Sequence, residues 1–206
     1  MSYWFEILND NDILKYVVPE WKNYVSNQMQ FLRSKSFCAE DNKSTAYYSS
    51  FRNQMFFPKE ENANENVYVV FHEYGHLIHH NAFDYYRINN TISSIFKKEV
   101  QKKKIINEEI GLKFLNNLKK EFAWGYANSL CPISDALGNY FDTNLFYENG
   151  YRSHKKGYAS CSLGTELFAE IFQMTVMGDS KGLRIFKREF PKTYYYLSEK
   201  INGLRK

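Results

Sequence analysis

The feature that most limits the fold of this 206-residue sequence is the segment FHEYGHLIHH at residues 71–80. It contains His72, Glu73 and His76 in the order HExxH. On an α-helix, residues four apart lie on one face, so both imidazoles reach a single ion and the Glu73 carboxylate projects beside them. The pattern predicts a helix from Val67 to about His80 that carries a metal site, although the β-branched residues at its start are also typical of a strand.

Two imidazoles alone do not complete a metal site, because catalytic zinc has three protein ligands and one open position. The segment TELFAEIF places Glu166 and Glu170 four residues apart, on one face of an otherwise apolar helix. We predict that Glu166 binds the metal and that Glu170 accepts a hydrogen bond from a ligating histidine. Two rivals stay open: His154 as the third ligand and Asp135 as the supporting carboxylate.

Other polar residues near the motif have different expected roles. His79 and His80 lie beyond the metal on a straight helix, and the longer pattern HExxHxxGxxH is absent because Ala82 stands at its last position. We interpret both as structural or exposed histidines. Tyr158, in a glycine-flanked stretch, is the candidate donor to the oxygen on which charge develops during acyl transfer.

The N-terminal half of the sequence predicts a helical arm followed by a small sheet. Apolar residues at three-and-four spacing predict a helix over residues 19–33. Aromatic runs around a polar centre predict two strands joined by a turn over residues 46–57, ended by Pro58 and followed by a polar loop over 59–66. We expect residues 1–40 to pack as an arm on a domain formed by residues 41–206.

The remainder of the sequence predicts helices. Residues 91–123 read as one long helix or two broken ones, with the break at Gly111. A short helix is expected over 133–141, a loop over 150–164, a helix capped by Thr165, and two helices flanking Pro191. The predicted class is therefore α+β, predominantly α.

Composition and charge exclude several other classes of protein. Hydrophobic residues are 44% and charged residues 24%, which argues against a disordered chain. The net charge is +4, and the eight lysines between Lys97 and Lys120 alternate with Glu99, Glu108, Glu109 and Glu121. Such alternation is typical of a solvated helix and argues against nucleic-acid binding.

The cysteines and the N-terminus indicate the compartment. The three cysteines are widely spaced and include no CxxC pair, so neither a disulfide framework nor a cysteine-ligated metal is predicted. Neither a signal peptide nor a membrane-spanning run is evident. We expect a cytoplasmic protein with no membrane partner; release by a non-standard route or with a virion stays open.

Several segments together resemble a known family. FHEYGHLI, the later TELFAEIFQM and the C-terminal GDSKGLRIFKREFPKTYYYL resemble the lethal-factor-like zinc peptidases. AYYSS at 46–50 and ISD at 133–135 are similar to segments of metallopeptidase-like domains associated with phage head proteins. The likeness covers roughly residues 45–200.

The resemblance implies a zincin-like fold of the gluzincin type, with a small sheet before the HExxH helix and a helical C-terminal half. It implies Zn²⁺ on His72, His76 and Glu166, with Glu73 as general base and Glu170 behind the ligands. The oxyanion-stabilising tyrosine maps most nearly to Tyr158, which lies one residue farther from Glu166 than is usual. The separation of His76 from Glu166 also exceeds the usual one, which suggests that the Lys-rich residues 97–120 are a peripheral insert.

Two functions follow as hypotheses. The first is a zinc-dependent endopeptidase that hydrolyses a peptide or protein substrate with a metal-activated water and Glu73 as the base. The alternative is a non-catalytic, zinc-containing structural module with a phage-type or toxin-type assembly partner.

Overall fold

The protein is helical apart from one small sheet. The computed structural model describes residues 11–34, 38–41, 46–58, 67–122, 128–151, 153 and 163–205. Within these residues the helices are α1 (Pro19–Ser34), α2 (Val67–Ala82), α3 (Tyr85–Lys102), α4 (Glu108–Glu121), α5 (Cys131–Phe141), α6 (Leu145–Glu148), α7 (Leu163–Met177), α8 (Ser180–Glu189) and α9 (Pro191–Gly203). The predicted α+β class with a small sheet before the HExxH helix is confirmed.

The sheet has three strands in the order β1-β3-β2, formed by β1 (Cys38–Asp41), β2 (Tyr47–Ser49) and β3 (Gln54–Pro58). Strands β2 and β3 form the predicted antiparallel hairpin, while β1 pairs in parallel with β3. Asn53 turns the hairpin with φ 51°, a left-handed conformation that asparagine tolerates better than most residues. Strand β1 was not predicted because CAED has no alternating apolar pattern, and it spans the expected boundary at residues 40 and 41.

Helix α7 is the centre of the fold. Every residue from Leu163 to Met174 is buried, as expected for a helix that is apolar on nearly all sides. It packs against α2, α3 and α5. The ring of Trp21 in α1 meets Phe172 of α7 edge to face with 6.0 Å between ring centroids, which fastens α1 to the same core.

The predicted break at Gly111 is wrong. Helix α3 ends at Lys102, Lys104 has φ 58°, and α4 begins after Asn107, whose side chain accepts a hydrogen bond from the backbone N–H of Ile110. Gly111 lies inside α4, where a Cβ would come within 3.0 Å of the Phe146 ring. The glycine therefore reflects tight packing of α4 on α6, and not the end of a helix.

Two smaller predictions also change. Thr165 does not cap its helix, since α7 already begins at Leu163, and its hydroxyl lies 3.0 Å from the hydroxyl of Tyr85. The four-residue helix α6 was not predicted. Helices α8 and α9 flank Pro191 as predicted, whereas residues 154–162 of the expected loop lie outside the described residues.

In the part of the chain that the structure describes, no helix combines the length and the apolar character needed to cross a bilayer.

A buried carboxylate joins the C-terminal helices to α3. Glu99 of α3 accepts hydrogen bonds from the backbone N–H groups of Lys192 and Thr193, at 2.9 and 3.0 Å, and from the Thr193 hydroxyl at 2.7 Å. These N–H groups belong to the first turn of α9, where backbone N–H groups have no acceptor within their own helix. Glu99 therefore caps α9 from a neighbouring helix, with its negative charge at the positive end of the helix dipole.

Replacing Glu99 tests this cap. Glu99→Ala is expected to lower the free energy of unfolding by about 1–3 kcal/mol, because it leaves buried N–H groups without an acceptor. Chemical denaturation of the purified variant measures the loss. Gln101→Ala, at an exposed position of α3, is the control and should change the free energy by less than about 0.5 kcal/mol. An equal loss in both variants would contradict the role of Glu99.

Candidate metal centre

Helix α2 brings two histidine side chains together in the interior. It covers Val67–Ala82, which confirms the predicted helix over the HExxH motif. The Nε2 atoms of His72 and His76 lie 3.1 Å apart, and both side chains are buried. Two ring nitrogens at this distance compete for one proton or one cation between them.

Helix α7 supplies a carboxylate to the same point. The two carboxylate oxygens of Glu166 lie 3.4 Å from His72 Nε2 and 3.6 Å from His76 Nε2. Glu73 is also close, since the ligand atoms of His72, Glu73 and His76 all lie within 4.8 Å of one another. These residues form a buried group that is able to hold a metal ion, and Glu166 is a carboxylate from outside α2 that lies close to both histidines.

The second carboxylate of α7 lies behind the first histidine. Glu170 Oε1 is 3.2 Å from His72 Nδ1, on the side of the ring away from His76. When Nδ1 carries the proton and donates a hydrogen bond to Glu170, the lone pair of Nε2 faces His76 and Glu166. The arrangement fits the predicted supporting role of Glu170. Asp135, the rival carboxylate, is buried on α5.

Charge explains why these groups occur together. Glu166 and Glu170 are 2% and 1% exposed, and buried carboxylates are costly unless they are paired with positive charge. Burial alone lowers the pKa of His72, but the charges and hydrogen bonds of Glu170 and Glu166, together with Glu73, outweigh burial and leave the pKa well above its usual value. The site therefore favours positive charge, either a proton or a metal cation.

A close contact between backbones sets these distances. A Cβ on Gly75 of α2 would lie 2.8 Å from the Cα of Ala169 in α7 and 3.2 Å from the Ala169 Cβ. Such distances leave no room for a side chain, so the two helices touch through a glycine and an alanine. His72 and His76 flank Gly75 in the sequence, and Glu166 and Glu170 flank Ala169 with the same spacing. Sequence reasoning missed this contact, although the small residues within both motifs were its visible signal.

Tyr48 of β2 is a second residue that sequence reasoning left without a role. Its ring lies nearly parallel to that of His76, with 6.5 Å between centroids, and 5.9 Å from the ring of His80. Its hydroxyl donates to Asn53 Oδ1 at 2.7 Å, and the amide of Asn53 is in turn bonded to Asn81 at 2.8 Å. The hairpin is thereby joined to the C-terminal end of α2 and covers one side of His76.

His79 is a structural residue, in agreement with its interpretation from the sequence. It is fully buried, and its ring stacks on Phe168 of α7 with 4.5 Å between centroids and 13° between planes. Within the described residues neither ring nitrogen has a hydrogen-bond partner. Burial, with smaller effects of His76 and His80, lowers the pKa of His79 to about 3, so the ring stays neutral. His80 is half-buried, with its ring between Tyr48 and Tyr85.

Two predicted site residues cannot be placed. Tyr158 and His154 lie in the segment 154–162, outside the described residues. Their roles as oxyanion donor and rival third ligand stay predictions.

Comparisons with known proteins found no relative of this chain. No family model, no curated protein and no solved structure matches the chain.

Adding one methyl group at Gly75 tests its close contact with Ala169. Gly75→Ala is expected to lower the free energy of unfolding by about 1–3 kcal/mol, because the methyl meets the backbone of Ala169 and pushes α2 from α7. Helix propensity alone would change stability by about 1 kcal/mol in the opposite direction. Thermal and chemical denaturation measure the effect.

Gly203→Ala is the matched control for this substitution. No heavy atom of the described chain lies within 4 Å of the position that a Cβ would take at Gly203, in the last turn of α9. This variant should be as stable as the unmodified protein or more so. If Gly75→Ala behaves like Gly203→Ala, the close contact does not exist.

His79 should make the free energy of unfolding depend on pH. The unfolded chain protonates His79 near pH 6.5, whereas the folded protein keeps it neutral down to about pH 3. Its contribution to stability is therefore complete above about pH 6.5 and is lost as the pH falls from there toward 3. His79→Phe keeps the stacking surface and removes the proton. It should make the fall in unfolding free energy with decreasing pH shallower by up to about 1.4 kcal/mol per pH unit.

Ile78→Val serves as the control for His79→Phe. It alters a buried neighbour on α2 without adding or removing a titrating group, so it should lower stability by about 1 kcal/mol equally at every pH. An unchanged pH dependence in His79→Phe would show that His79 is not held neutral in the folded protein.

Proposed function

We propose that this protein is a zinc-dependent endopeptidase with a zincin-like fold of the gluzincin type. The observation that carries the proposal is the convergence of His72 Nε2, His76 Nε2 and the Glu166 carboxylate, at separations of 3.1, 3.4 and 3.6 Å. Glu73 lies beside this group on the same helix as the histidines.

The separations suit zinc. Ligand atoms placed roughly 2.0–2.2 Å from zinc at tetrahedral angles lie about 3.3–3.6 Å apart. The 3.1 Å between the two histidine nitrogens is slightly shorter, and the 3.4 and 3.6 Å contacts of Glu166, made by its two different carboxylate oxygens, lie within that range. Two imidazoles and one carboxylate also form the ligand set of a large class of zinc peptidases. The donors therefore fit zinc in both chemistry and spacing.

Each protein group then has a distinct task. A zinc ion held by His72, His76 and Glu166 would supply Lewis-acid polarisation of a carbonyl oxygen and would acidify a water molecule. Glu73 is the base that takes the proton from the attacking water and passes it to the leaving nitrogen. Glu170 holds the Nδ1 proton of His72 and so keeps the lone pair of Nε2 directed at the ligand position.

The number of donors favours catalysis over a purely structural metal. Structural zinc sites are closed by four protein ligands, usually with cysteine among them. Among the described residues, the two histidines and Glu166 supply three ligands in the proposed arrangement, and Glu73 acts as the base. The fourth position is then left for water and substrate.

The experiment combines metal analysis with peptide cleavage. The purified protein should contain about one zinc per chain and cleave members of a peptide library. Glu73→Gln should keep the zinc and lose a factor of about 10²–10⁴ in kcat, because the amide cannot accept the proton. Glu166→Ala should lose both zinc and activity. Glu109→Gln, at an exposed position of α4, is the control and should change neither.

The same variants separate the non-catalytic alternative. If zinc is bound and its removal lowers the melting temperature, while no library member is cut and Glu73→Gln is indistinguishable from the unmodified protein, the site is structural. If no zinc binds, the proposal fails altogether.

A further inference from the structure

A second functional surface lies on the C-terminal helices. In sequence, the lysines of residues 97–120 alternate with glutamates, which argues for simple solvation. In the folded chain, two of these glutamates bond to neighbouring helices. Glu99 turns inward to cap α9, and Glu121 pairs with Arg188 of α8 through a 3.0 Å contact to Nη2. Glu108 and Glu109 lie in the first turn of α4, at the opposite end of that helix from Glu121.

A further glutamate of this region is also used internally. Glu189, at the end of α8, accepts a hydrogen bond from Lys103 Nζ at 2.7 Å and also contacts Arg188. The carboxylates of Glu99, Glu121 and Glu189 thus serve to join α3, α4, α8 and α9. They do not neutralise the lysines that remain on the outside.

Four exposed lysines and one exposed tyrosine lie on α3, α8 and α9, which Glu99 and Glu189 join, and we call them the basic face: Lys98, Lys102, Lys187, Lys192 and Tyr195. Lys98 and Lys102 are one helical turn apart on α3. Lys98 immediately precedes Glu99, which bonds to α9, and Lys102 immediately precedes Lys103, which bonds to Glu189 of α8. All four lysines are exposed, and among the described residues no carboxylate forms an ion pair with any of them. Uncompensated lysines held on packed helices attract a polyanion.

Tyr195 adds an aromatic ring to this charge. It is 58% exposed, and Lys187 Nζ lies 5.1 Å from its ring centroid and 5.6 Å from that of Tyr194. An exposed ring beside ammonium groups is the combination with which proteins hold single-stranded nucleic acid, because a base stacks on the ring while the lysines contact phosphates. A lipid surface would favour larger apolar side chains between the lysines, and the basic face offers none.

We propose that the basic face binds single-stranded nucleic acid without regard to sequence. The phosphates contact Lys102, Lys187 and Lys192, and a base stacks on Tyr195. The surface involves no residue of the metal centre, so this binding does not depend on the proposed peptidase activity.

The test measures binding of a short fluorescein-labelled oligodeoxythymidine by anisotropy, between about 50 and 200 mM salt. The full chain should bind it, with an affinity that falls steeply as salt increases. The triple variant Lys102→Ala/Lys187→Ala/Lys192→Ala should lose about tenfold or more in affinity. It should also lose about two units in the slope of log affinity against log salt, since each single-strand phosphate contact contributes about 0.7.

A matched triple variant removes the same charge elsewhere. Lys22→Ala/Arg87→Ala/Lys113→Ala alters exposed residues of α1, α3 and α4 outside the basic face, and should stay within about threefold of the unmodified protein. Tyr195→Ala should weaken binding about fivefold or more, whereas Tyr147→Ala, which removes an equally exposed ring on α6, should not. Circular dichroism of each variant confirms that it is folded.

Three results would overturn the proposal. The first is a flat salt response, and the second is an equal loss in both triple variants. The third is equal binding, dependent on the same lysines but not on Tyr195, to anionic phospholipid vesicles or to polyglutamate. That third result would show a surface for polyanions in general.

Discussion

The candidate metal centre depends on the absence of one side chain, at Gly75. Because Gly75 has no Cβ, α2 and α7 approach until the glycine meets the backbone of Ala169. Only at that separation do the carboxylates of α7 reach the imidazoles of α2, at 3.2 to 3.6 Å. A wider crossing would leave two carboxylates and two imidazoles buried and apart, each without the opposite charge that makes its burial tolerable.

This arrangement links the site to the stability of the fold. Helix α7 is the central helix, and a central helix is normally apolar on all sides. Its two carboxylates are acceptable there because they face His72 and His76. Burial alone would lower the pKa of His72, and the carboxylates raise it well above its usual value. A metal cation at the same point would offset the carboxylate charge more fully than a shared proton. Binding of such an ion and packing of α2 on α7 would therefore be parts of one equilibrium.

The local parts of this account were predictable from the sequence, and the long-range parts were not. Spacing four residues apart placed His72 with His76 and Glu166 with Glu170 on single helix faces, because helix periodicity depends only on neighbours in the chain. It could not show that Tyr48 covers His76, since that contact depends on how the hairpin packs against α2. Strand β1 was missed for the same reason: CAED becomes a strand by pairing with β3.

Two errors have a common physical origin. The sequence predicts a helix break at Gly111 and a solvated position for Glu99, because glycine usually weakens helices and glutamate is usually exposed. In the fold, Gly111 makes room for Phe146 and Glu99 caps another helix. Both residues are explained by partners far away in the sequence, and composition and periodicity contain no information about such partners.

The most direct measurement is a crystal structure of the zinc-loaded protein with anomalous data collected at the zinc absorption edge. The account predicts one anomalous peak within about 2.0–2.2 Å of His72 Nε2, of His76 Nε2 and of a Glu166 oxygen, with Glu170 still beside His72 Nδ1. A zinc ion bound to other side chains, or one held by His72 and His76 without Glu166, would contradict it.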